Sequence, residues 1–376
     1  MQAKKRILIL YAKAGGGHAS LAQGLRERLE KNLNNIEIIL HDPLSSHLEH
    51  LYKASTVITP QPYNMLYDLA ERKYAGAVLK KINNIANIRL RESFAKLRPD
   101  LIISTHIMLV DNISQLAHSP NKKIPLAVYL ADPLESHTFW FSKDVDLYIA
   151  FNKKYLPEKY QLEYERKIVS IGMPLRGAFY KKYDKEQTHK ELNFDSSLPT
   201  ILFGGSGAGM DNVERLIPGM KKLMGETPIQ CIVICGRNRI LHKTLEKLFE
   251  NNKNVRIFGY VSEELVAKYL QASDIFVGKM GPNIMFEAVL SNTALIATPP
   301  ILKQEKSNRK FVEEKKLGYS VENRKETLEK LRYILENKSV LKDFKHNTEK
   351  LHDEIIAIEK NGIPQVIQWI RKEIDY

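Results

Sequence analysis

Strand-length aliphatic runs alternate with helical patterns along most of the chain, and the alternation happens twice. The first series is RILILYA, EIIL, DLIIST, IPLAVYL, DLYIAF and KIVSIGMPLR. A helix is expected from Gly17 to Leu33 and a long helical region before DLIIST. The second series is TILFGG, IQCIVICG, VRIFGY, DIFVG and ALIATPP. Helices are expected after them from about Asp211, Leu241, Glu263 and Pro282, and the chain should be mostly helical from about Lys325. Continuous aliphatic strands separated by helices imply parallel sheets covered on both faces. Two series in 376 residues imply an α/β chain with two doubly wound, Rossmann-like domains facing across a cleft. We expect domains at 1–173 and 174–376, a linker within Ile171–Asp184, and a last helix able to return to the first domain.

The two cysteines, Cys231 and Cys235, lie four apart inside CIVIC and read as buried, reduced thiols on one strand face. No apolar stretch reaches about 18 residues, so no membrane-spanning helix is expected. The apolar run near the start is short and leads into a glycine loop, which favours a first strand over a signal peptide and a cytoplasmic location. The net charge is +13, which favours an anionic partner. Glu71–Arg98 concentrates that charge, with eight Lys and Arg against two acids. It interleaves them with Tyr74, Val78, Leu79, Ile82, Ile85, Ile88 and Leu90. With the apolar stretch upstream, residues 55–98 could lie on an anionic membrane surface or form a core-packed helix with a solvated basic face. No nucleic-acid motif accompanies the charge, and no nucleic-acid partner is expected.

In doubly wound sheets ligands bind beyond the carboxyl ends of the strands. GGGH follows the first strand: Gly15, Gly16 and Gly17 allow close backbone approach, and His18 opens the helix. The spacing is neither a dinucleotide fingerprint nor a P-loop. GGSGAGM (Gly204–Met210) repeats the device after the first strand of the second series, with Gly204, Gly205, Gly207 and Gly209. LADPLESHTFW sets Asp132, His137 and Trp140 after a strand, where a carboxylate and an imidazole could act as acid or base. KMGPNIMFEA puts Gly281 and Pro282 at a helix start and Glu287 a turn and a half in, able to accept from a diol. KQEKSN places Gln304 and Glu305 after another strand, suited to a hydroxyl-rich ring. Each stretch also has a plain reading as a turn, cap or polar helix start. The DVD at Asp144–Asp146 sits at the start of a strand, so we expect no metal ligand there.

Together and in this order, GGGH, the D…H..W loop, GMPLR, GGSGAGM, ICGRN, GYV, KMGPNIMFEA and QEKSN resemble one family. It is that of the monogalactosyldiacylglycerol synthases and bacterial processive diacylglycerol glucosyltransferases. The enzyme that adds N-acetylglucosamine to the peptidoglycan lipid carrier is a more distant member of the superfamily. The likeness runs from about Ile7 to Gly318. It implies a GT-B fold, an inverting hexosyl transfer, a UDP-sugar as donor substrate, a lipid acceptor such as diacylglycerol, peripheral membrane attachment, and no metal or other cofactor. By motif position, Glu287 would hold the ribose, and Gln304 and Glu305 the sugar, with Asn308 beside them. Gly204, Gly205, Gly207, Gly209, Gly281 and Pro282 would approach the diphosphate, and Phe258 would flank the uracil through its backbone. His18 and Asp132 are the general-base candidates; Gly15, Gly16, Gly17, His137 and Trp140 fall on the acceptor side. The chain departs from the galactolipid pattern, which has glycine where Asn283 and Lys303 stand. A GT-B enzyme with another acceptor, a nucleotide-sugar epimerase, and a non-catalytic lipid- or nucleotide-binding relative are the alternatives.

Overall fold

The computed structural model describes residues 4–12, 17–43, 88–107, 110–119, 122–204, 216–300 and 305–375. It divides into two units. The first takes the chain to Arg176 and again from Ile355, and the second holds Gly177–Pro300 and Glu305–Glu354. The last helix (Lys338–Glu373) therefore gives its first half to the second unit and its second half to the first.

The first unit contains β1 (Lys5–Leu10), β2 (Ile36–His41), β3 (Leu101–Ser104), a two-residue antiparallel pair β4 (His118–Ser119) and β5 (Lys122–Lys123), then β6 (Leu126–Tyr129), β7 (Leu147–Ala150) and β8 (Ile168–Ser170). Six of them form a parallel sheet in the order β2-β1-β3-β6-β7-β8. The second unit contains β9 (Thr200–Phe203), β10 (Gln230–Ile234), β11 (Val255–Phe258), β12 (Ile275–Lys279), β13 (Ala294–Thr298) and β14 (Gly318–Ser320). Their order, β11-β10-β9-β12-β13-β14, is the 3-2-1-4-5-6 order of a dinucleotide-binding sheet. β3, β6, β7 and β9 are buried at every residue, because helices cover both faces.

Three aspartates start strands in the same way. Asp100 donates its backbone N–H to Arg6 O, and its carboxylate accepts from Arg6 N at 2.8 Å. Asp146 does the same with Leu126 at the foot of β6, and Asp274 with Thr200 at the foot of β9. Each carboxylate pairs a strand-end amide that the ladder leaves orphaned. This gives the D of DLII, DLYI and DIFV a structural job. Asp146, from the DVD stretch, also takes His118 Nε2 at 3.1 Å and Lys123 Nζ at 3.2 Å.

In the first unit backbone comes close to backbone at two glycines, Gly24 of the helix Gly17–Asn32 and Gly362 of the last helix. A Cβ on Gly24 would lie 1.9 Å from Pro174 O, and one on Gly362 1.8 Å from Ser170 O. Arg28 reaches across this junction. It donates to both oxygens of Glu359, at 2.8 and 3.1 Å, and to the carbonyls of Gly24 and Leu175.

In the second unit Cys231 and Cys235 are free, buried thiols in one apolar core with Ile201, Phe203, Val233 and Ile296. The helix expected from Asp211 is described from Ile217 to Glu226, since 205–215 lie outside the described residues. Among the described residues no helix is long and apolar enough to cross a membrane. Most of Glu71–Arg98 is also outside them. In its described end, helical residues 88–97, Leu90 is fully buried, so it packs in the protein rather than on an outer face. Arg89, Arg91 and Lys96 are exposed, as is Ile88 at 60%.

Candidate active site

In the first sheet β1 lies between β2 and β3, so the chain leaves β1 and β3 in opposite directions and opens a crevice at their carboxyl ends. Thr105, just past β3, closes the gap by donating its N–H to Leu10 O at 2.9 Å and its hydroxyl to the same oxygen at 3.2 Å. His18, second residue of the helix after β1, sets its Nδ1 2.7 Å from Thr105 O. A carbonyl oxygen only accepts, so Nδ1 carries the proton and Nε2 holds the lone pair. Burial lowers the His18 pKa, opposed by the carbonyl contact. The imidazole is therefore neutral at pH 7.

His106 lies against it, with ring centroids 4.5 Å apart. Burial and the neighbouring His18 hold His106 well below the usual histidine range. His106 was not among the expected site residues, although it directly follows DLIIST, just past a strand end. Gly17 is half-buried, and a Cβ there would meet nothing within 4 Å. Gly15 and Gly16 lie outside the described residues.

Asp132 follows β6. Its partner is not a histidine but Trp140, whose indole N–H donates to Oδ2 at 2.8 Å. Burial raises the Asp132 carboxyl to about 6, partly offset by the indole bond and reinforced by Glu135. Trp140 is fully buried, and its indole N–H holds Asp132 in place. His137 is also buried. Its Nδ1 accepts from Phe139 N at 3.2 Å and caps the short turn Thr138–Trp140. Both rings help to hold the loop Asp132–Trp140 in its folded form.

In the second sheet the equivalent crevice opens between β9 and β12. Gly204 N donates to Val277 O at 3.2 Å, and a Cβ on Gly278 would fall 2.2 Å from Gly204 O. Only glycine allows the two strand ends to come so close. Gly281 then caps the helix Pro282–Leu290, and Pro282 fills the first turn, where a missing N–H costs nothing. Such a helix start favours a bound anion. Asn283 is half-buried in that turn, and Glu287 lies on the buried face of the helix.

Glu305 is buried beside this helix start, its Oε1 3.0 Å from Lys279 Nζ. Asn308, also buried, donates to Met280 O at 2.8 Å and so fixes the end of β12. Phe258 ends β11, stacks on Tyr269, and lends its carbonyl to Cys235 N at 2.7 Å. That carbonyl keeps one further lone pair for a ligand. The Lys279–Glu305 pair does not follow from the sequence pattern, because it joins the end of β12 to the start of the helix Lys306–Glu314, 26 positions further along. Gly205, Gly207, Gly209, Lys303 and Gln304 lie outside the described residues.

Residues 18–192 match the family model described as monogalactosyldiacylglycerol (MGDG) synthase, and 184–351 match glycosyl transferases group 1. The chain is 27% identical over 364 residues to a processive diacylglycerol beta-glucosyltransferase of Bacillus licheniformis, covering 94% of this chain and 92% of that protein. It is 25% identical to monogalactosyldiacylglycerol synthase 1, chloroplastic, of Arabidopsis thaliana, over 84% of this chain and 62% of that protein. Among solved structures, Acinetobacter baumannii MurG superposes with a TM-score of 0.65 at 14% identity, covering 98% of this chain and 99% of that one.

Proposed function

For a chain with the GT-B fold, related to the monogalactosyldiacylglycerol synthases and the processive diacylglycerol glucosyltransferases, we propose an inverting transfer of a hexose from a UDP-sugar to a lipid hydroxyl such as that of diacylglycerol. The acceptor oxygen attacks the anomeric carbon. The bond from that carbon to the diphosphate breaks, UDP leaves, and a base in the first unit takes the acceptor's proton. The observation that carries this reading is the single tautomer imposed on His18 by Thr105, which leaves Nε2 free to receive a proton. Asp132 is the second group able to receive one. In the second unit the helix start at Gly281–Pro282 stabilises the diphosphate's growing charge. Glu287 takes the ribose, Gln304 and Glu305 the hexose, and Phe258 the uracil edge. Exposed Arg89, Arg91 and Lys96 support attachment to anionic lipid at the membrane surface.

The test is product formation from UDP-glucose and from UDP-galactose with diacylglycerol in anionic vesicles, beside His18→Ala. A glycolipid that is lost in the variant supports the reading and identifies the donor. Release of UDP or conversion of the donor with no lipid product would reassign the chain to another acceptor or to epimerisation. Nucleotide binding with no turnover would make it a non-catalytic relative.

A further inference from the structure

Glu305 has two carboxylate oxygens in unlike situations. Oε1 meets Lys279 Nζ at 3.0 Å, while Oε2 is buried with no hydrogen-bond partner among the described residues. The side chains are 6% and 13% exposed respectively, so water does little to serve either group. A buried carboxylate oxygen without a donor is costly, and native structures keep one where a ligand completes the bonding. A Cβ on Gly281 would stand 4.0 Å from Oε1, which puts the carboxylate beside the start of the helix Pro282–Leu290.

Lys279 is the last residue of β12, and its backbone is fixed from both sides. β12 and β13 pair in register through Lys279 and Thr298, and Asn308 clamps the next carbonyl at Met280. The ammonium group therefore has a rigid base from which to hold Glu305.

We propose that Lys279 is a positioning residue for the hexose of the donor. Its ammonium holds Oε1 so that Oε2 is presented, already desolvated, to a sugar hydroxyl. The hydroxyl donates its hydrogen to Oε2, and no bond is made or broken. Lys279 itself touches neither the sugar nor the reacting atoms. This deepens the donor reading above, on which it rests, and it assigns Lys279 no contact with UDP.

The test is calorimetric titration of the full chain with UDP and, separately, with UDP-glucose and UDP-galactose, in wild type, Lys279→Met and Lys279→Arg. Loss of one hydrogen bond to a charged group predicts about 10- to 100-fold weaker UDP-hexose binding in Lys279→Met. UDP binding should fall clearly less than UDP-hexose binding, because Lys279 acts through the carboxylate that meets the hexose. Lys279→Arg, which keeps the ion pair, should recover most of the UDP-hexose affinity. Equal losses for UDP and UDP-hexose would overturn the proposal, as would UDP-hexose binding untouched by Lys279→Met. A wild-type chain that binds none of the three nucleotides would instead overturn the donor reading.

Discussion

The indole N–H of Trp140 donates to Oδ2 of Asp132 at 2.8 Å, from a ring that is itself fully buried. The bond opposes the burial that raises the Asp132 carboxyl to about 6. If Asp132 takes the acceptor's proton, kcat/KM rises with pH through about 6, as the carboxyl ionises. Trp140→Phe removes the donor, so that limb should move to higher pH while the fold is retained. A limb that stays in place would assign it to another group, with His18 the first to test.

Asp274 is held between two ammonium groups at the foot of β9. Burial alone would raise its pKa, but the ammonium groups of Lys345 and Lys185, at 2.7 and 2.8 Å, outweigh it and bring it to about 2. The folded value lies below the unfolded one, so the stabilisation is complete above about 4 and is lost as pH falls toward 2. A shift of nearly two units is worth about 2 kcal/mol. Asp274→Asn should lose about that much in urea denaturation at pH 7. Its deficit against wild type should shrink at pH 3.

Glu359 supplies both acceptor oxygens for the Arg28 side chain where the last helix meets the first. Glu359→Ala takes away the carboxylate that faces the buried Arg28 guanidinium. It should cost about 2–3 kcal/mol, read as a lower denaturation midpoint. Replacing Arg28 and Glu359 together with Met and Leu should cost less than Glu359→Ala alone, since no buried charge then remains.

Gly362 and Gly225 are both helical glycines, yet they should respond in opposite directions. A Cβ on Gly362 would stand 1.8 Å from the Ser170 carbonyl, whereas one on Gly225 would meet nothing within 4 Å. Gly362→Ala should cost at least about 1–3 kcal/mol through forced separation of the last helix from β8. Gly225→Ala should leave the melting temperature unchanged or raise it, by up to about 1 kcal/mol of stability. Thermal melts of the two variants side by side decide the point.

Much of the fold was legible in local pattern. The aliphatic runs at β1, β3, β6, β7, β9, β10, β12 and β13 are continuous, because a strand buried on both faces has no polar side to show. β14 and the β4–β5 pair were not legible, since three or two residues carry no periodicity. Asp132, Gly204 and Gly281 lie just past strand ends, but the partners of the site residues did not follow from spacing. Nothing in the spacing of LADPLESHTFW says that Asp132 pairs with Trp140 rather than with His137. An inward turn of an apolar ring is settled by packing.

The two parallel sheets and the family likeness could be read from the chain alone, because they depend on residue type at short range. Which groups act on one another follows from the fold. It set His18 against Thr105 and His106, Asp132 on Trp140, and Lys279 on one oxygen of Glu305. Such pairs form across different strands and helices. Their chemistry depends on distances of about 3 Å and on exclusion of water, and neither is encoded in the spacing of residues along the chain.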